Sequence, residues 1–98
     1  MIVNYNKLSN FFHMFSDASR LKILEHLLNN DEETVTDLAK ATDLSISNLS
    51  HQLSSLKEMR LVKSRNEGKY KYYSLDDDHI NDILEIGIKH LEHIEKDN

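Results

Sequence analysis

TDLAKATDLSISNLSHQLSSLKEMRLVKSRNEGKYKYYSL, residues 36–75, is the stretch that decides the fold. Residues 36–42 place Leu38, Ala39 and Ala41 behind Thr36, a candidate cap, and read as a short helix. Asp43-Leu44 makes a tight turn. Ser45 then caps a second helix reaching to about Met59, with Leu49, Leu53 and Leu56 recurring on one side. Residues 61–66 and 69–75 are strand-like, with Glu67-Gly68 between them. A glycine there supplies the positive φ that a hairpin turn requires. Two helices joined by a tight turn and followed by a β-hairpin form the winged helix-turn-helix arrangement.

Upstream, residues 5–15 put Leu8, Phe11, Phe12 and Phe15 at helical spacing, and Ser16-Asp17 follows as a cap. Residues 18–29 carry Leu21, Leu24, Leu27 and Leu28 on one stripe with Ile23 beside it, and Asn29-Asn30-Asp31 ends that helix. Downstream, a last helix starts near Asp76–Asp78, whose carboxylates suit a helix N-terminus. It runs to about Glu95 with Ile80, Ile83, Leu84, Ile88, Leu91 and Ile94 as its apolar face. The expected fold is mainly α with a β-hairpin wing: four helices, the hairpin, one helix. All 98 residues are read as one domain. Its reading helix covers about 45–59, its wing about 61–75 and a dimerisation and metal helix about 76–95.

Composition narrows the function. Hydrophobic residues make up 39% and charged residues 30%, which is enough apolar matter for a packed core. With no cysteine there is no disulfide, thiolate metal site or cysteine nucleophile. No apolar run approaches the ~18–20 residues of a membrane span. MIVNYNKLSN has no basic region followed by an apolar stretch, so no secretory signal is expected and the cytoplasm is the expected compartment. No H-E-x-x-H arrangement is present, and an enzyme is not expected.

The net charge of −5 is unevenly spread. Residues 1–44 sum to −3, residues 45–73 to +4 and residues 74–98 to −6. A local basic surface is what a DNA backbone feels at close range. Within that basic stretch the second helix carries Ser45, Ser47, Asn48, Ser50, His51 and Gln52, and the hairpin carries Lys63, Arg65, Lys69 and Lys71. Serine is a mediocre helix former, so its density on one helix calls for a reason. Hydroxyl, amide and imidazole groups can bond base edges in a major groove, while lysines spaced by two, such as Lys69 and Lys71, share a strand face and suit phosphates. Double-stranded operator DNA is the expected partner.

DASRLKILEHL, the run from TVTDLAKATDL through YYSL and the last helix together resemble the ArsR/SmtB family of winged-helix metalloregulators over nearly the whole chain. The resemblance is strongest to the CzrA-like zinc- and cobalt-sensing branch. It implies a dimeric repressor that leaves its operator when it binds metal. It also implies that Ser47, Ser50 and His51 fall where family members touch DNA, while Ile46 departs from the polar residue often found at its position. Some members use thiolates near the start of the third helix; here Thr34 and Thr36 of EETVTDL stand where the cysteines would be, so that site is absent.

The last helix carries its own constellation. Asp77, His79, His90 and His93 form D-x-H-x(10)-H-x(2)-H. Three imidazoles and a carboxylate fit tetrahedral Zn(II), and Co(II) suits the same donors. His79 and His90 lie about 16 Å apart along a helix, at ~1.5 Å per residue, far beyond metal–ligand bonds of ~2.0–2.2 Å. The four therefore cannot converge within one chain. Antiparallel pairing of the helix with its copy, about an axis near residue 85, brings each pair to the partner's other pair and makes two equivalent sites. Gly87, near that crossing, permits close backbone approach. The pattern thus predicts a homodimer as well as a metal. By the family resemblance, the ring nitrogen of His90 that does not bind metal would bond the backbone just after the reading helix, near Arg60. His13 and His26 have no partner ligand in the sequence and read as structural. The alternative reading is a regulator of the same family that answers to a non-metal signal.

Overall fold

The computed structural model describes residues 1–97. Its elements are α1 (Tyr5–His13), α2 (Ala18–Asn29), β1 (Glu33–Thr34), α3 (Val35–Thr42), α4 (Ile46–Glu58), β2 (Val62–Glu67), β3 (Tyr70–Leu75) and α5 (Asp78–Lys96). The strands form one antiparallel sheet in the order β1-β3-β2. This is the mainly helical, winged arrangement expected from the sequence, with one addition. The two-residue β1 pairs Glu33 with Tyr73 and Thr34 with Tyr72, and turns the hairpin into a three-stranded sheet.

Each boundary has a local cause. Asn4 caps α1 by accepting from Lys7 N–H at 3.1 Å. The helix ends two residues earlier than the aromatic spacing suggests. Met14, Phe15 and Ser16 donate to the carbonyls three residues back, so the chain tightens beyond His13. Asp17 caps α2 through Arg20 N–H at 3.0 Å. The cap of α3 is Thr34, where the sequence pattern favoured Thr36. Asp37 N–H donates to the Thr34 hydroxyl and Thr34 N–H donates to the Asp37 carboxylate, both at 3.2 Å. This reciprocal box satisfies two otherwise orphaned donors. Asp43 closes α3 in the left-handed region at φ 60, and Ser45 opens α4 by accepting from Asn48 N–H at 3.1 Å.

The end of α4 is a Schellman turn. Leu61 N–H reaches back to Leu56 O at 2.9 Å and Arg60 N–H to Lys57 O at 3.1 Å, with Arg60 at φ 62. That conformation favours glycine, and here an arginine holds it. Gly68 supplies the expected positive φ at the hairpin tip, φ 60.

The core gathers Ile23, Leu24 and Leu27 of α2, Leu38 of α3, Leu49, Leu53 and Leu56 of α4, Leu61, Val62 and Leu75 of the wing, and Ile80 and Leu84 of α5. The α4 stripe is buried as its spacing requires. The expected apolar face of α5 is buried only in its first half. Ile88, Leu91 and Ile94 are exposed, as is every described residue from Glu85 onward. No buried residue lies on α1. Between α1, α2 and α5 runs an open apolar groove lined by Phe12, Phe15, Leu21, Ile83, Ile88 and Leu91. No helix of the described residues is long and apolar enough to cross a membrane.

The cap assignment is testable by urea denaturation. Thr34→Ala should lower the unfolding free energy by about 1 kcal/mol. Thr36→Ala, at an exposed position inside the first turn, should cost nothing measurable because alanine is the better helix former. The reverse order of effects would put the cap at Thr36.

Candidate nucleic-acid interface and metal centre

Burying Leu49, Leu53 and Leu56 turns the opposite side of α4 to solvent. Ser47, Asn48, Ser50, His51 and Ser54 are exposed there, and Ser45 stands at the leading end with its hydroxyl engaged in the cap. Gln52 is placed differently. It is half-buried, and its carbonyl accepts from Arg20 Nη1 of α2 at 3.4 Å while its amide nitrogen reaches Asn48 Oδ1 at 3.5 Å. Arg20 also donates through Nε to Met14 O at 3.1 Å and through Nη2 to His13 O at 3.4 Å. One guanidinium thus joins the end of α1 to the reading helix. Sequence reasoning missed Arg20. The available signal was an arginine four residues before the buried Leu24, on the buried stripe of α2, where a cation needs partners.

On the wing, Lys63, Lys69 and Lys71 are exposed, and among the described residues no carboxylate lies in an ion pair with any of them. Lys69 falls in the two-residue turn rather than on a strand, with its ammonium 5.4 Å from the centre of the Tyr70 ring. It therefore does not share a strand face with Lys71 by simple alternation. Lys71 lies opposite Asn66 in the ladder.

Arg65 is fully occupied. Its Nε and Nη2 donate to the two Glu32 oxygens at 2.6 and 2.8 Å, and its Nη1 donates to Glu67 at 2.8 Å. Its guanidinium also lies 4.8 Å from the centre of the Tyr72 ring directly across the ladder. Arg65 thus reaches over β3 to the segment before β1 and clamps the wing to the body. The Arg65 hydrogen bonds hold the Glu32 carboxyl below its ordinary range, and the two glutamates push the Arg65 pKa up. Glu32 was not singled out from the sequence, because a bidentate partner 33 residues away leaves no local pattern.

Asp77 caps α5. Its Oδ1 accepts from His79 N–H at 2.9 Å and Ile80 N–H at 3.4 Å, and lies 3.4 Å from His79 Nδ1. Partial desolvation pulls the Asp77 carboxyl up, but the bonds from the His79 ring and the two amides outweigh it and leave it lowered. The other carboxylate oxygen takes no part in these contacts. His90 and His93 lie about three turns further along, their rings 6.5 Å apart at 25° and both exposed. The structure therefore brings Asp77 to His79 and His90 to His93. Among the described residues, no three such side chains meet within one chain to hold a metal. His26 pairs with Glu33 at 3.1 Å and links α2 to β1, while the His13 ring lies 3.4 Å from the Ser16 hydroxyl.

Residues 17–64 match the model of the bacterial regulatory protein, arsR family. The chain is 38% identical over 86 residues to the cadmium resistance transcriptional regulatory protein CadC of Listeria innocua, covering 88% of this chain and 72% of that one. The chain belongs to the ArsR family. It is likewise 40% identical over 86 residues to a transcriptional repressor SmtB homolog of Synechocystis, covering 88% of this chain and 64% of the relative. Among solved structures it resembles the homodimeric winged helix-turn-helix DNA-binding domain of Mb0332 from Mycobacterium bovis. The TM-score there is 0.80 at 27% identity, covering 91% of this chain and 85% of that one. Membership makes the protein a DNA-binding transcriptional regulator and not an enzyme, of the kind that includes the family's repressors. In this winged helix-turn-helix fold, α3 and α4 form the helix pair and β2–β3 the wing.

Removing the clamp should free the wing. Glu32→Gln is expected to leave the helices intact, speed amide exchange in β2, and raise the salt dependence of DNA binding by about one phosphate as Arg65 is released. Since the folded Glu32 carboxyl is lowered, the clamp is complete above the ordinary glutamate range and is lost as pH falls through the lowered value. Unchanged β2 exchange in Glu32→Gln would show that Glu32 does not hold the wing.

Proposed function

We propose that the protein is a homodimeric, metal-responsive repressor of the cytoplasm that binds operator DNA in its metal-free form and releases it on binding Zn(II), or Co(II). The observation that carries this reading is on α5. Two ligand pairs stand about 16 Å apart on one helix, and its apolar stripe is left uncovered from Ile88 through Leu91 to Ile94, alongside the second pair. A second copy laid antiparallel would cover the stripe, Leu91 at 59% exposure included, and complete two sites at once. The homodimeric state of the Mb0332 domain supports the pairing.

The residues fit the ion. Asp77 and His79 of one protomer with His90 and His93 of the other would supply one oxygen and three nitrogens. The names of relatives speak of resistance to cadmium and to arsenicals. This chain has no cysteine, so no thiolate is offered to a soft ion. When bound, the metal would supply a rigid link between the two α5 helices.

The chain's own residues supply the rest of the switch. Asp76 N–H, beside the ligand Asp77, donates to Leu61 O at 2.9 Å. Leu61 in turn closes the end of α4. A change in the tilt of α5 is therefore passed to the recognition helix through one backbone bond. Binding two half-sites requires the two recognition helices about 34–36 Å apart, so a changed dimer geometry lowers operator affinity. Ser47, Asn48, Ser50 and His51 would face bases and backbone, with Ser45 at the leading end. Lys63, Lys69 and Lys71 would meet phosphates. Gln52 would orient Asn48, and Arg65 would reach a phosphate only by leaving Glu32.

Two measurements test this. His90→Ala should bind operator within about twofold of wild type yet lose Zn(II)-driven release, which for couplings of about 1–3 kcal/mol amounts to roughly 5–150-fold in affinity. Release of that variant at stoichiometric Zn(II) would overturn the assignment of His90. A wild-type protein insensitive to both metals would leave a family regulator answering to another signal. Independently, Leu91→Glu should sediment as a monomer and lose high-affinity Zn(II) binding; a stable dimer would refute the α5 pairing.

A further inference from the structure

Ile46 is the only large apolar side chain of α4 that is left exposed, at 52%. It stands three residues before Leu49, at the start of the stripe that Leu49, Leu53 and Leu56 bury, but the core stops short of it. The other exposed apolar groups lie on the N-terminal segment, α1, α2, the wing tip and α5. Ile46 thus carries the apolar stripe out into solvent at the leading end of the helix, next to Ser45 and Ser50. It is also the first residue of the helix, and the N-terminal residues of a recognition helix are those that meet base edges. The Ser45 hydroxyl is spent on the cap, so Ile46 is the first side chain free to face the groove.

An aliphatic group in a major groove has little choice of partner. Against the amino group of cytosine or adenine, or the acceptors of guanine, it strips water and returns no hydrogen bond. Against thymine it meets the C5-methyl group and both lose apolar surface to water. We infer that Ile46 is a specificity-determining residue that selects a thymine in each operator half-site by contact with its methyl group. This rests on the reading of α4 as the recognition helix and goes beyond it by naming a base and the atom that identifies it.

The test uses the full chain and a randomised duplex DNA library, from which the preferred duplex is selected. Each thymine of that duplex is then replaced singly by deoxyuridine, which removes the methyl and nothing else. One thymine per half-site should then show about a fourfold loss of affinity, the size expected for one methyl-sized group. In Ile46→Ala the loss at that position should fall below twofold, and in Ile46→Val most of it should remain. A selected duplex in which no single deoxyuridine matters, or in which the penalty is undiminished in Ile46→Ala, overturns the inference while leaving DNA binding intact. Failure to enrich any duplex overturns the recognition-helix reading itself, and this inference with it.

Discussion

The turn from Leu56 to Leu61 is the joint on which the structure depends. Arg60 takes a left-handed conformation that stops α4, and Leu61 folds back so that its N–H meets Leu56 O. Both leucines are fully buried, so the turn is held by the core as well as by its hydrogen bonds. The carbonyl of the same Leu61 receives Asp76 N–H from the far end of the wing. The end of α4, the hairpin and the start of α5 therefore meet at one residue. A left-handed arginine costs stability relative to glycine, and the buried leucines on either side of it offset that cost. Such a joint transmits rotation well, because none of its three arms can move without disturbing the packing of the others.

Much of this was legible in the sequence because the period of an element is written many times along its length. Leu49, Leu53 and Leu56 repeat the helical spacing of α4, and Gly68 marks a turn that its φ confirms. The strand β1 was not legible, since two residues carry no period at all. It exists because β3 offers an open edge beside the entry to α3. The cap of α3 moved from Thr36 to Thr34 for the same reason: pairing with Tyr72 fixes where the strand ends, and Asp37 then closes the box from inside the helix.

The candidate interface was legible in kind and not in direction. A sequence shows that position 65 is cationic and position 52 an amide. It does not show whether they look outward. Arg65 turns to Glu32, and Gln52 turns to Arg20. The difference lies in geometry. A guanidinium can meet a carboxylate with two parallel hydrogen bonds and an aromatic face at once, whereas the lysines, as point charges on flexible stems, find no equal arrangement nearby and stay in water. The unpaired basic surface of the wing is accordingly narrower than its count of cations implies: Lys63, Lys69 and Lys71 stay in water while Arg65 is engaged.

The far half of α5 poses the opposite case, because there the sequence pattern is clear and the single chain leaves it unused. Its apolar spacing continues for nearly three turns beyond the last buried leucine, Leu84, and its histidines continue with it. A helix that merely ended a domain would gain nothing from Ile88, Leu91 and Ile94 in water. Charge adds a constraint on the pairing. Residues 74–98 sum to −6, so two such segments brought together repel. Apolar burial along the stripe must exceed that repulsion, and a divalent cation at each end would reduce it. Under the proposed pairing, the self-association of this acidic, imidazole-bearing helix would therefore be sensitive to cations, and the joint at Leu61 lies directly beside its first turn.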